Sequence, residues 1–471
     1  MQNSLKPYPE YKESGVPWLG KIPEHWECLP HRAVFSEVKE QNHINEQLLS
    51  VTIAKGIIPQ SNLLASTSKK DSSNIDKSKY KLVCPKDIAY NKMRAWQGAI
   101  GVSKHRGIVS PAYVVVRLRN HHNPNYFHYL FRTPLFIKEA ERWSYGITPD
   151  MWSLRPEHFK VIYTCLPKDD EQTQIARFLD WKNAQINRFI RNKRRLIEVL
   201  KEQKQSIINQ AVTRGLDPKV KLKPSGLEWI GDMPEHWEVA PLKHLASINA
   251  RVLSESTDQN YTFKYFDISS VGTGCLSGEP ETLRFGQAPS RARRILKKGD
   301  TILSTVRTYL KAVYYVSDEV EDWIASTGFA ALTPKKAIYP PFLGLVIQSD
   351  NFINRVIRES IGVAYPAIAE TKLGTLHLAY PESIEEQQLI LEHVANSSKV
   401  IDQAISRAER EIALMREYRT RLIADVVTGQ VDVRGIEVPE IAEDELLALD
   451  DDSADDVIDE AIENEETEVE E

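Results

Sequence analysis

At 471 residues the chain is long enough for two to four compact units, and a hydrophobic fraction of 42% can fill their cores. No apolar run reaches the length of a membrane span, and the polar start MQNSLKPYPEYKES is unlike a signal peptide, so a cytoplasmic location with no membrane partner is expected. The formal net charge of −6 hides an asymmetry: residues 440–471 hold 17 acids and no Lys or Arg, leaving 49 acids against 60 bases elsewhere, a body of +11. The tail is expected to be disordered, and the basic body suits a polyanionic partner.

The first distinctive element is GKIPEHWE at 20–27, which returns as GDMPEHWE at 231–238. Its flanks return with it at the same offset of 211: Ser14-Gly15 as Ser225-Gly226, Trp18-Leu19-Gly20 as Trp229-Ile230-Gly231, and Pro30 as Pro241. This is an internal repeat of about half the chain, and it sets the frame for everything that follows.

After each motif comes a unit of about 140 residues whose two copies match poorly but in order. Residues 87–94 (DIAYNKMR) parallel 300–307 (DTILSTVR), Ala99-Ile100 parallels Ala312-Val313, and SPAYVVVRL parallels STGFAALTP. These short β-branched runs between turn residues predict strands. Amphipathic stretches follow, NYFHYLFRTPLFIKEAERW and PPFLGLVIQSDNFINRVIRES, which predict helices. Arg94-Ala-Trp96-Gln97 and Arg307-Thr-Tyr309-Leu-Lys311 hold equivalent places. Arg and Gln pair with guanine and adenine edges and Lys neutralises phosphate, so these are candidate DNA contacts, unless the Arg stems and aromatic rings simply pack on the sheet. Lys104, Arg106, Arg291 and Arg293 are candidate phosphate contacts or solvated surface.

Each half closes on a long run free of internal Gly and Pro, 171–213 and 386–428, aligned at an offset of 215. Apolar residues at 3–4 spacing (Ile186, Phe189/Ile190, Leu196/Ile197, Leu200, Ile207; Ile401, Ile405, Ile412, Met415, Tyr418, Leu422) put one stripe on each predicted helix. Forty helical residues span about 60 Å, too long for one small unit to bury, so the two stripes are expected to bury each other as a coiled coil. The predicted division is therefore 1–165, a first variable unit; 166–217, a first long helix; 218–380, a second variable unit; 381–435, a second long helix; and 436–471, the acidic tail.

Four scattered cysteines (Cys28, Cys84, Cys165, Cys275) form no C-x-x-C, so buried structural thiols are expected, with no disulfide framework and no metal site. There is no G-x-x-x-x-G-K-[ST] for ATP. Asn123-Pro124-Asn125-Tyr126 resembles the N-P-P-Y loop of adenine methyltransferases but lacks its second proline and any Gly-rich turn upstream. Glu37-Val-Lys39 spells E-x-K without a partner acid. No catalytic residue and no cofactor are expected; a binding module outweighs an enzyme.

Two variable units, each opened by a W-x-G-x-x-P-x-H-W-like segment and closed by an E-Q-x-x-I…T-x-G-x-D-like helix, resemble the specificity subunit of Type I restriction–modification systems over residues 8 to about 435. The first helix departs from that pattern in ending Thr213-Arg214-Gly215, and the acidic tail lies outside it. The resemblance implies an α+β protein in which two mixed α/β target recognition domains are joined by two long helices pairing as an antiparallel coiled coil. It implies a non-catalytic subunit reading a bipartite, interrupted site in double-stranded DNA. Two methyltransferase subunits and the restriction/translocase subunits are the implied partners, and the coiled-coil positions Ile186, Ile190, Leu200, Ile207, Ile401, Ile405, Met415 and Leu422 are the implied partner-binding helices. The alternative is a coiled-coil scaffold whose globular units bind proteins.

Overall fold

A computed structural model describes residues 5–53, 55–62, 76–119, 121–148, 151–227, 230–363 and 365–441. The expected disordered tail lies almost wholly outside these residues. The chain divides into two units: Met1–Lys193 with Arg410–Glu471, and Arg194–Glu409.

The heart of the first unit is an antiparallel sheet of β1 (Phe35–Val38), β2 (Ile88–Asn91), β3 (Ile100–Val102) and β4 (Tyr113–Leu118) in the order β1-β4-β2-β3. In the second unit β5 (Ala246–Ile248), β6 (Thr301–Ser304), β7 (Val313–Tyr315) and β8 (Phe329–Pro334) take the equivalent order β5-β8-β6-β7. Strands rich in Val, Ile and Ala fit such sheets because both faces are covered: Val114, Val115 and Val116 are all buried, as are Ala330, Ala331 and Leu332. A buried aspartate aims the start of each central strand. Asp87 accepts from the backbone N–H of Cys84 and, bidentately, from Arg117; Asp300 accepts from the N–H of Lys297 and from Arg251. This shared role explains the parallel between 87–94 and 300–307. The second unit adds a four-stranded sheet from Thr262–Phe266, Glu281–Arg284, Ala292–Leu296 and Trp323–Ser326.

The two long runs are continuous helices, α1 (Asp169–Arg214) and α2 (Ile384–Val427). They pack together antiparallel. In the first unit Arg419 donates to Asn187 at 3.1 Å and Lys193 pairs with Glu411 at 2.6 Å; in the second, Lys204 pairs with Asp402 at 2.7 Å. Numbers rise along α1 as they fall along α2. Ile186, Ile190, Ile401 and Leu422 are buried, while Leu200, Ile207, Ile405 and Met415 are half-buried. Of the open pair Leu196/Ile197, Ile197 is inward and Leu196 exposed; one stripe assignment changes, because Tyr418 faces outward. Adjacent apolar pairs are ambiguous at helical period, and packing decides which member turns in.

The repeated motif is a latch. Ser14 and Ser225 each brace a hairpin, accepting on Oγ from the N–H two residues on, and their own N–H groups donate to Gly20 and Gly231. The hairpin delivers the His-Trp pair to the first turn of a long helix. Trp26 Nε1 donates to Glu171 Oε1 at 3.1 Å, with His25 Nε2 2.7 Å from Oε2; Trp237 Nε1 donates to Glu386 Oε1 at 2.9 Å, with His236 Nε2 2.9 Å from Oε2. The next residue ties in the helical region of each unit: Gln172 accepts from the Asn123 N–H and donates to the Pro167 carbonyl, as Gln387 does for Tyr339 and Pro381.

Each latch also receives the end of the other long helix. Gly429, left-handed after α2, packs against Pro23 and Trp26 in the first unit; Gly215, left-handed after α1, packs against Trp237 and Pro234 in the second. Both helices close with a threonine donating four residues back, Thr213 to Asn209 and Thr428 to Ala424. The departure at Arg214 therefore leaves the stop intact. Leu422, Val426, Val427 and Val433 enter the first core with Ile175 and Phe178; Ile208, Ala211 and Val212 enter the second with Ile390 and Val394.

One expectation fails. Cys28 and Cys165 sit directly opposite each other on the antiparallel pair Glu27–Pro30 and Tyr163–Leu166 and are joined by a disulfide. The second unit has Val239 opposite Ala379 at that place. Strand pairing across 137 residues brings the sulfurs together, which local spacing cannot reveal. Nor are the remaining thiols both buried: Cys84 is half-buried and Cys275 exposed.

Candidate nucleic-acid interface

In both units the central hairpin of the sheet ends in one tight 3-10 turn that carries the reader candidates. In the first, Arg94 precedes Ala95–Gln97, and the Asn91 side chain accepts from the Met93 N–H. Trp96 donates its indole N–H to the Met93 carbonyl at 2.8 Å and stacks edge-on to Trp152, which leaves Arg94 and Gln97 exposed. Gly98 closes this turn at φ +98°.

In the second unit the turn is Thr308–Leu310, flanked by Arg307 at φ 53° and Lys311 at φ 54°. Lys311 stands where the first unit has Gly98. Two L-residues held in the left-handed region next to each other's turn mark a stored local cost of the sort found at binding sites. The exposed Arg307 guanidinium lies 4.8 Å from the centroid of the Tyr365 ring, and Tyr309 projects outward.

The other candidates differ in their surroundings. Lys311 is half-buried and pairs with Asp350 at 3.1 Å, and Arg106 pairs with Glu46 at 2.7 Å while also reaching the Cys84 sulfur. Lys104 is exposed on the loop between β3 and Gly107–Val109. Arg291 donates to the Tyr265 hydroxyl, and Arg293 lies over Phe285. Arg293 lies in the additional sheet of the second unit and Arg291 in the turn that enters it, whereas Arg307, Tyr309 and Lys311 belong to the central-sheet turn.

A further segment in each unit was not singled out by sequence reasoning. Residues 144–148 and 151–153 of the first unit, and 360–363 and 365–367 of the second, lie in loops pinned to the reader turns. Leu154 donates its N–H to the Lys92 carbonyl and Ile368 to the Thr305 carbonyl, each at 2.9 Å. The available signal was Ser144-Tyr-Gly146-Ile147 against Ser360-Ile-Gly362-Val363, three matched or similar letters at an offset of 216.

Among the described residues no group of His, Cys, Asp or Glu is arranged to hold a metal ion, and no helix is long and apolar enough to cross a membrane. The run Asn123–Tyr126 has structural partners. Asn123 caps the helix Pro124–Phe131, and the Tyr126 hydroxyl donates to the Val427 carbonyl at 2.9 Å.

Residues 234–409 match the family model of the Type I restriction modification DNA specificity domain. The Type I restriction enzyme MjaVIII specificity subunit of Methanocaldococcus jannaschii is 24% identical over 382 residues, 76% of this chain and 84% of that protein. The putative type I restriction enzyme MjaX specificity subunit of the same organism is 23% identical over 69% of each chain. A chain from a solved structure concerned with complex assembly and conformational transition of the type I R-M system superposes with a TM-score of 0.60 at 14% identity, covering 86% of this chain and 98% of that one. The protein thus has the fold seen in that system, carries a Type I restriction modification DNA specificity domain in its second half, and resembles Type I specificity subunits over most of its length.

Proposed function

We propose that the chain is a non-catalytic subunit that reads a bipartite, interrupted site in double-stranded DNA, one part with each unit. The observation that carries this is the doubled reader turn: an exposed arginine beside an aromatic residue, at the same point of two sheets of the same order, with different side chains around it. Arginine suits guanine edges, and two dissimilar readers suit an asymmetric site. In this reading Arg94, Gln97, Arg307 and Tyr309 touch bases and Lys104, Arg291 and Arg293 touch phosphates, while Lys311 and Arg106, paired with Asp350 and Glu46, serve mainly to hold their loops.

Methyltransferase subunits, and then restriction/translocase subunits, are the proposed partners, and they supply the chemistry with its cofactors in the cytoplasm. Exposed Leu414 and Tyr418 in the first unit, and Leu389 and Val400 in the second, offer apolar surface on α2 for such docking.

Methylation-sensitive sequencing of the host genome with and without this gene tests the proposal. A split adenine-methylated motif that vanishes on deletion supports it; an unchanged methylation pattern, together with no salt-dependent DNA binding by the full chain, defeats it. Exchange of residues 28–160 for the same unit of a relative should alter one half-site alone.

A further inference from the structure

The loops pinned beside the reader turns are built alike, and each turns large apolar side chains to solvent. Each starts with a serine that donates four residues back along the preceding helix, Ser144 to Ala140 and Ser360 to Val356, both at 2.8 Å. Each is closed by a reciprocal backbone pair, Tyr145 with Ser153 and Ile361 with Ala367. A glycine precedes each tip. A side chain on Gly146 would run into the Met151 backbone at 2.4 Å, and Gly362 sits at φ +122°. In the second unit the loop is tied to the reader turn again, through Thr308 Oγ1 and Ser360 Oγ at 2.9 Å and through Arg307, whose N–H donates to the Pro366 carbonyl. In the first, Trp152 meets Trp96 edge-on.

On this fixed frame Ile147 is 94% exposed and Val363 fully so, flanked by exposed Tyr145, Met151, Ile361 and Tyr365. A single exposed aliphatic residue is ordinary on a protein surface. A branched aliphatic tip at the matching place of two units, on a loop held by matched hydrogen bonds and tied to the turn that carries an exposed arginine, is not explained by the core.

We propose that Ile147 and Val363 are specificity determinants that press against the base edges of the DNA groove, the apolar counterpart of the contacts made by Arg94 and Arg307. The proposal rests on the DNA-reading function above and deepens it. A duplex suits this surface because it offers both features that the surface complements: phosphates for the neighbouring cations, and an apolar element, the thymine methyl group, for a branched aliphatic tip. Such a contact discriminates bases without adding charge, so it should leave the salt dependence of binding alone.

The test uses the full chain with a randomised duplex DNA library, reading the sequences retained by the native protein, by Ile147→Ser and by Val363→Ser. Ile147→Ser is expected to weaken preference at one or two base pairs of one half-site by about fivefold or more, and Val363→Ser to do the same in the other half-site. Ile147→Val and Val363→Ile should keep the native motif, and all variants should keep the native slope of affinity against salt. A native motif retained at full strength by both serine variants would overturn the loop proposal alone. So would a reduced salt slope with an intact motif, which would put the tips on the backbone. Failure of the native protein to retain any motif would bring down the DNA-reading function itself.

Discussion

Trp26 and Glu171, 145 residues apart, meet in a buried hydrogen bond that fastens the start of a long helix to the first unit. The same acid also accepts from Tyr8, whose hydroxyl is held protonated far above its usual range by burial and then by Glu171. In the second unit, among the described residues, the Glu386 side chain has the Trp and His partners only, and it is 29% exposed against 8% for Glu171.

Glu171→Ala should therefore cost about 3 kcal/mol, because it strands two buried donors, whereas Glu386→Ala should cost about 1 kcal/mol where water can substitute. Urea unfolding followed by tryptophan fluorescence checks the inequality; equal costs would remove the latch from the account of the repeat.

The two terminal glycines should also differ. Both are left-handed, so alanine costs about 1 kcal/mol at either. At Gly429 the added carbon would also fall 2.4 Å from Pro23 Cδ, while at Gly215 its nearest neighbour is 3.5 Å away. Gly429→Ala is expected to lower the thermal midpoint well beyond Gly215→Ala, read by calorimetry.

Acid should loosen the first unit before carboxylates are titrated. His31 is buried among Phe35, Phe131, Phe136 and Phe159, and burial lowers its pKa from 6.5 to about 3; burial does the same to His128. Between about pH 6.5 and 3 the unfolded chain takes up these protons and the folded one does not. Their contribution is thus complete above pH 6.5 and is lost as pH falls, at about 1.4 kcal/mol per pH unit for each histidine. His31→Leu should flatten the stability profile in that window by one histidine's share, measured by urea unfolding at a series of pH values.

For the reader turns, Arg94→Ala should cost ~1–3 kcal/mol at one base pair of one half-site, and Arg307→Ala likewise in the other. Lys104→Ala should instead lower affinity evenly across sequences and reduce the salt slope by about one. Binding titrations on matched and single-mismatch duplexes separate the two patterns.

The repeat and the long helices were legible because they rest on local devices: a serine-braced hairpin, a Gly stop and a 3.6-residue period. What escaped depends on partners far away in sequence. Nothing near Cys28 announces Cys165, and nothing near Arg106 or Lys311 announces Glu46 or Asp350, so the pairing of those charges had to be seen. The apolar loops escaped for a different reason. Their likeness lies in backbone hydrogen bonds shared by Tyr145 and Ser153 with Ile361 and Ala367, and backbone bonds write few letters.

The exchange of helix ends between latches also sets an order of maturation. The second unit is one unbroken stretch, Arg194–Glu409, whereas the first core stays open until Leu422, Val426 and Val433 arrive. On a ribosome adding about 5–20 residues per second, the first unit waits roughly 10–50 s after its own strands emerge. The half that is translated last is the half that closes first, and during that interval Trp26 and its neighbours are a nascent-chain surface for chaperones to cover.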